Sequence, residues 1–281
     1  MRKLIAVGSL ALCAATTFAG VPFKLGIAGY TFLKKPLDES LATMKAIDCH
    51  YLCIKDFHLA YEPDAAAIAA FKAKCAAAGV ECLGVGPLYS DNEAKFRKIF
   101  EFAKMYGIGV IVGVPFENVD HGNPWGKDTS ESDKMLDVVE KLVKEFDIRF
   151  AIHNHGPDMP YLYPTAESVM KRIAHRDVRI GLCLDIGHER RAGVDPVATI
   201  RKYAPRIYDV HLKNIKIDPK KNLAMQGPRG ELDICGVFRA LSEVGYKGVC
   251  HLEYERDFED NAMGLAESIG FYRGVISAIG E

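Results

Sequence analysis

Four short segments of this 281-residue chain concentrate side chains that bind metals or move protons. Residues 150–156 read Phe-Ala-Ile-His-Asn-His-Gly, and residues 181–188 read Gly-Leu-Cys-Leu-Asp-Ile-Gly-His. Residues 207–213 read Ile-Tyr-Asp-Val-His-Leu-Lys, and residues 250–255 read Cys-His-Leu-Glu-Tyr-Glu. Each is a short apolar run, and as a strand its successive side chains take opposite faces. On that period Ile152 opposes His153 and His155, and Leu182 with Leu184 opposes Asp185. Val210 with Leu212 opposes His211 and Lys213, and Leu252 opposes Glu253 and Glu255. The apolar set suits a packed layer. The polar set, brought together, converges imidazoles and carboxylates on one point. Such groups are costly to bury unless paired or metal-bound, and mixed nitrogen and oxygen donors suit a divalent cation.

The elements that must position these residues follow from hydrophobic period. Strands are predicted near 23–29, 50–55, 80–85, 108–114, 149–154, 178–185, 206–212 and 248–254. Helices are predicted near 38–47, 62–78, 91–106, 131–146, 165–174, 196–203, 233–244 and 260–278. Gly79, Gly107 and Gly245 mark helix ends. Eight β-then-α units in series point to a single-domain α/β fold, a (β/α)8 TIM barrel over residues 22–281. The long irregular stretches 115–130, 156–164 and 213–231 all follow strands, and loops after strands form the catalytic face of such a barrel.

Composition agrees with one large core: 49% of residues are hydrophobic and 26% charged. The net charge of −1 lacks the basic footprint of a nucleic-acid partner. At the start of the chain, Arg2 and Lys3 precede the uncharged stretch 4–16, and Thr17-Phe18-Ala19 supplies small residues at the two positions read by a signal peptidase. This pattern predicts a signal peptide over residues 1–19 and an exported protein, periplasmic or secreted, with no membrane span after its removal. Leu12 before Cys13 is too bulky for a lipoprotein site. The other seven cysteines form no tight metal-type cluster, and Cys183 and Cys250 read as small buried hydrophobes. The order Gly-x-Ser-x-Gly and a phosphate-cradling loop are both missing.

The run Gly181-Leu-Cys-Leu-Asp185-x-x-His188, followed by His211-Leu-Lys213 and Glu253, resembles the xylose-isomerase-like barrel superfamily. This group includes sugar phosphate isomerases and epimerases, keto-sugar epimerases, inosose dehydratases and endonuclease IV. The segment Gly227-Pro-Arg-Gly230-Glu-Leu-Asp233 is similar to the Gly-x-Gly-x-x-Asp stretch these proteins carry before their seventh helix. The resemblance implies a metal held by Asp185, His211 and Glu253, with His153 at the fifth-strand position where the family usually has Glu. It implies a divalent ion (Zn, Mn or Mg) and a small carbohydrate substrate. It leaves a homo-oligomer open. It implies isomerisation or epimerisation by proton abstraction next to a carbonyl. Because His153 replaces one glutamate of the family's acid/base pair, that mechanism does not transfer unchanged.

On the same resemblance Glu253 is the favoured base, with His155, His188 and Lys213 as further catalytic candidates. Lys55, His58, Glu255 and Trp125 are candidates for substrate binding, Trp125 by stacking on a sugar face from the loop after strand four, together with Phe116. Arg190 and Arg191 suggest an anion site, although two adjacent arginines are ordinarily solvated. His50, His121, His175 and His251 carry no distinctive context. Two rivals stand: a keto-sugar lyase or dehydratase on the same scaffold, and a non-catalytic carbohydrate-binding barrel.

Overall fold

Strands that are apolar on one face bury that face under helices, and eight such units close the sheet on itself. The computed structural model describes residues 21–116, 133–159, 162–217 and 223–280, and shows this closure. The barrel strands are β1 (Lys24–Ala28), β2 (Tyr51–Ile54), β3 (Glu81–Ser90), β4 (Val110–Pro115), β5 (Arg149–His153), β6 (Ile180–Asp185), β7 (Ile207–Leu212) and β8 (Val249–Leu252). Neighbours pair in parallel, and β8 closes onto β1 with Gly26 opposite His251. The covering helices are α1 (Leu37–Ala46), α2 (Ala65–Ala77), α3 (Glu93–Tyr106), α4 (Lys134–Phe146), α5 (Ala166–Ile173), α6 (Ile186–Arg191), α7 (Pro196–Tyr203), α8 (Ile234–Glu243) and α9 (Ala262–Ile279). None of them is long and apolar enough to cross a membrane.

Local chemistry sets the helix ends. The side chains of Asp64, Asn92, Asp195 and Asp233 accept hydrogen bonds from the first-turn amides of α2, α3, α7 and α8, and Thr165 with Ser168 forms a reciprocal cap on α5. Gly107 ends α3 at φ +88°, where a side chain would be strained.

The core lies between sheet and helices. Ile152, Leu182, Leu184, Val210, Leu212 and Leu252 pack there against helix residues such as Phe100, Leu142 and Phe238. The opposite face of each strand points into the barrel. Its lower positions carry the small residues Cys53, Val112, Ala151 and Cys183. Two residues further along β5 and β6, the same face carries His153 and Asp185. The seven described cysteines are free thiols.

Two features depart from the sequence reading. Strand β3 runs through Gly86 and Pro87 to Ser90, with its register against β4 shifting between Val85 and Leu88. The strand predicted near 80–85 thus runs on to Ser90, and the Gly-Pro pair is absorbed as an irregularity inside it. In addition, α6 starts directly after β6, and a short antiparallel ladder joins Ile215–Lys216 to Leu223–Ala224 in a stretch read as irregular.

Candidate metal centre

At the C-terminal rim, β5 to β8 deliver His153, Asp185, His211 and Glu253 to one point. Glu253 follows directly on β8, its amide bonded to Leu212 O. One ligand-type atom from each of the four lies within 4.8 Å of the other three, and all four residues are buried. His153 Nε2 is 3.1 Å from His211 Nδ1, 3.6 Å from Asp185 Oδ2 and 3.8 Å from Glu253 Oε2. His211 Nδ1 is 3.3 Å from Glu253 Oε2. Bonds of about 2.0–2.2 Å place the corners of a tetrahedral ligand set roughly 3.3–3.6 Å apart, so these separations match a single small cation.

Donor accounting points the same way. Asp185 splits its duties: Oδ1 accepts the His188 amide at 2.8 Å, capping α6, while Oδ2 accepts no well-aligned hydrogen bond. Glu253 Oε2 is also buried without one. Both oxygens are within ion-pair distance of Lys213 Nζ, at 3.2 and 2.9 Å, and Glu255 Oε2 lies 3.1 Å from the same ammonium. Three carboxylates therefore face one lysine. Imidazoles that ligate a metal are neutral, so with them as ligands two negative charges would remain for a divalent cation to neutralise.

The charge states follow from this crowding. Burial works against the Lys213 ammonium, but Asp185, Glu253 and Glu255 outweigh it and hold its pKa well above the usual lysine value. Burial likewise favours protonation of Glu253, yet Lys213 and His211 prevail and keep it well below the carboxylate range. Burial, then neighbouring positive charge, pushes His155 and His188 well below the ordinary imidazole value.

The remaining candidates divide. A cavity of about 420 Å³ opens over the centre, and His155, His188, Lys213, Glu255 and Lys55 all border it. His155 Nε2 meets the Tyr89 hydroxyl at 2.7 Å, and Lys55 is held by Asp56 at 2.7 Å and by Pro87 O at 3.2 Å. His58 is a correction: it does not border the cavity. Its Nε2 contacts Lys35 O at 2.9 Å and Ser40 Oγ at 3.3 Å, and its ring packs edge-on against Phe57. The loop after β2 turns it outward, toward the start of α1. Trp125 and the signal-like residues 1–19 lie outside the described residues.

Several residues escaped the sequence reading. Tyr89 reaches the cavity because β3 continues past Pro87, and Tyr30 reaches it from the turn after β1. Asn154 clamps the backbone of Asp185: its Oδ1 accepts Asp185 N–H at 2.9 Å, and its Nδ2 donates to Asp185 O and to Glu189 Oε2, each at 3.3 Å. Glu189 also accepts from Ala166 N and Thr199 Oγ1, both at 2.9 Å, which ties the clamp to α5 and α7. His251, passed over for lack of context, is fully buried and paired with Asp209 at 2.8 Å inside the barrel. An inward-facing Asp two residues before His211 was the signal available for that pair.

Comparison with known proteins agrees with this picture. The family model of the xylose isomerase-like TIM barrel matches residues 42–275. The chain is 29% identical over 139 residues to the rhizopine catabolism protein MocC of Rhizobium meliloti, covering 44% of this chain and 42% of that protein. It is 32% identical over 140 residues to an inosose dehydratase of Clostridium tetani, covering 44% and 46%. The matches thus span less than half the length of these curated relatives. Among solved structures, D-psicose 3-epimerase with D-tagatose from Clostridium cellulolyticum H10 superposes with a TM-score of 0.70 at 16% identity, covering 90% of this chain and 99% of that one. The IolI protein with a zinc atom gives 0.68 at 18% identity, covering 92% and 98%. The structural likenesses establish the fold, and the family match extends over most of the sequence: this chain belongs to the xylose isomerase-like TIM barrel family.

Proposed function

We propose that this protein is a divalent-metal enzyme that moves a proton on the carbon beside a carbonyl of a small sugar, producing isomerisation or epimerisation. The observation that carries this reading is the convergence of His153, Asp185, His211 and Glu253, with Asp185 Oδ2 and Glu253 Oε2 buried and left without a hydrogen bond. These four residues would hold the ion. Two imidazoles in the set favour zinc or manganese over magnesium, and the zinc of the IolI structure supports the same choice. When bound, such an ion polarises the carbonyl of a hydroxy-ketone and acidifies the neighbouring C–H.

Glu253, ionised and at the cavity edge, takes the proton. Lys213, kept charged by three carboxylates, donates to the oxygen on which negative charge develops. His155 and His188, kept neutral, offer hydrogen bonds to substrate hydroxyls, with Lys55 and Glu255 on the cavity wall beside them. A second reading, dehydration, is favoured by one observation. His153 stands where the family carries its second glutamate, leaving one carboxylate base opposite a lysine acid. That pairing suits loss of a β-hydroxyl, and the inosose dehydratase relative supports it.

The test joins metal analysis to incubation of candidate ketoses in D2O. About one ion per chain and deuterium at the carbon next to the carbonyl are expected, and loss of water by mass identifies dehydration. A metal-free protein with no exchange would leave only the carbohydrate-binding barrel. Export is part of the proposal, supported by the pattern of residues 1–19. Cleavage after Ala19 in the exported fraction checks it. An exported enzyme meets free or oxidised sugars more readily than cytosolic sugar phosphates.

A further inference from the structure

His188 is contacted by two cations at once. Lys213 Nζ lies 3.1 Å from its Nε2, and Arg191 Nη1 lies 3.4 Å from its Nδ1. An imidazole has at most one lone pair in the ring plane, whatever its protonation state. One of the two cations therefore faces a ring N–H in every tautomer, and the Arg191 contact, at 3.4 Å, is the longer of the two. At most one Arg191 N–H is satisfied by this contact. Its Nε is buried without a partner, and among the described residues no carboxylate pairs with its guanidinium. Asp158 borders the same cavity without forming an ion pair with it, and the carboxylate of Glu189 is engaged by Asn154, Ala166 and Thr199.

A permanent cation whose Nε is buried without a partner thus stands on the wall of the cavity, its Nη1 3.4 Å from His188 Nδ1. A half-buried guanidinium with a buried N–H left unpaired and no carboxylate beside it is expensive unless something else supplies an acceptor. The neighbouring Arg190 shows the contrast. It points to a separate surface groove beside Asp195, because adjacent residues on a helix diverge, whereas Arg191 shares a face with His188 three residues earlier.

We propose that Arg191 and His188 form an anion subsite, and that the sugar turned over here carries an anionic group, carboxylate or phosphate, away from the carbons that face the metal centre. The inference rests on the proton-transfer reading for what happens to that sugar, but the subsite itself is a binding feature. One imidazole ring separates Arg191 from Asp185, so the charged group sits at one end of a small sugar whose oxygens reach the acidic pair at the other.

Calorimetric titration with D-fructose, 2-keto-D-gluconate and D-fructose 6-phosphate tests it, the last two separating carboxylate from phosphate. The wild type is expected to bind at least one anionic sugar about ten- to a hundredfold more tightly than D-fructose, the usual worth of a charge-assisted hydrogen bond. Arg191→Met should collapse that ratio to near one, and Arg191→Lys should restore part of it, with thermal melting confirming that both variants fold. Equal binding of all three sugars by the wild type overturns the subsite, as does a ratio that Arg191→Met leaves intact. Absence of deuterium exchange with the anion preference retained overturns the proton-transfer reading and supports the subsite.

Discussion

Lys213 shows how much a single side chain depends on its surroundings. At a strand end a lysine is normally solvated, but here its ammonium is almost fully buried among Asp185, Glu253 and Glu255. Replacing it removes an acid without removing a metal ligand. Lys213→Met is therefore expected to cut turnover by about 10²- to 10⁴-fold while metal content stays near one ion per chain, because the carboxylates lose their competing cation. Elemental analysis beside the deuterium-exchange rate checks this, and loss of the ion in Lys213→Met would place the lysine in a structural role instead. His211→Ala should do the reverse of a simple acid deletion. It is expected to lose both metal and turnover while the far-ultraviolet circular dichroism of the barrel persists. Normal metal content in that variant would remove His211 from the ligand set.

At the scale of elements, the centre is held by the β5–β6 edge. Asn154 sits one residue past the end of β5, and its side chain brackets both the amide and the carbonyl of Asp185 at the end of β6. The bracket leaves Asp185 one oxygen for the helix cap of α6 and one for the centre. Outer partners of this kind typically govern metal affinity by about 10- to 100-fold. Asn154→Ala should weaken metal binding by that order in a chelator competition. Glu189→Gln should weaken it less, because an amide can still accept from Asn154 and Ala166 and donate to the Thr199 hydroxyl. Equal affinity in Asn154→Ala and wild type would show the bracket to be dispensable. Sequence periodicity found β5 and β6 and their inward faces, because alternation is a local property. It placed the third strand near 80–85, whereas β3 runs on to Ser90 through Gly86-Pro87, a pair whose tolerance inside a strand depends on the neighbouring strand.

At the scale of the whole molecule, the buried ionisable groups couple stability to pH. His155 and His188 are depressed below the usual imidazole value, chiefly by burial. The unfolded chain binds protons from about pH 6.5 downward that these folded groups refuse, so their stabilisation is present above that pH and is lost as it falls. His211 runs the other way: Glu253, Asp209 and Asp185 outweigh burial and raise it, so its contribution is lost as pH rises. Two groups oppose one, and Asp185 and Glu253, held low by Lys213 and nearby histidines against burial, add to the decline in stronger acid. In chelator, the melting temperature should fall between pH 7.5 and pH 5, and His155→Gln should flatten the slope. A melting temperature that rises on acidification would contradict the assignment of neutral His155 and His188. Saturating zinc at about 100 times its dissociation constant adds about 2.7 kcal/mol by mass action, raising the melting temperature of a chain this size by about 5–10 °C.

By itself the amino-acid order determined the eight βα units, the closed barrel and the inward direction of His153, Asp185, His211, Lys213 and Glu253. Each of those follows from a period of two or 3.6 read within a few residues. Tertiary structure decided who meets whom. It turned His58 away from the cavity, brought Tyr89 in on the extended β3, joined Asn154 to Asp185 and set Arg191 against His188. Those outcomes depend on loop direction, inter-strand register and barrel closure, which no local pattern encodes, because the contacting partners lie on different turns and strands.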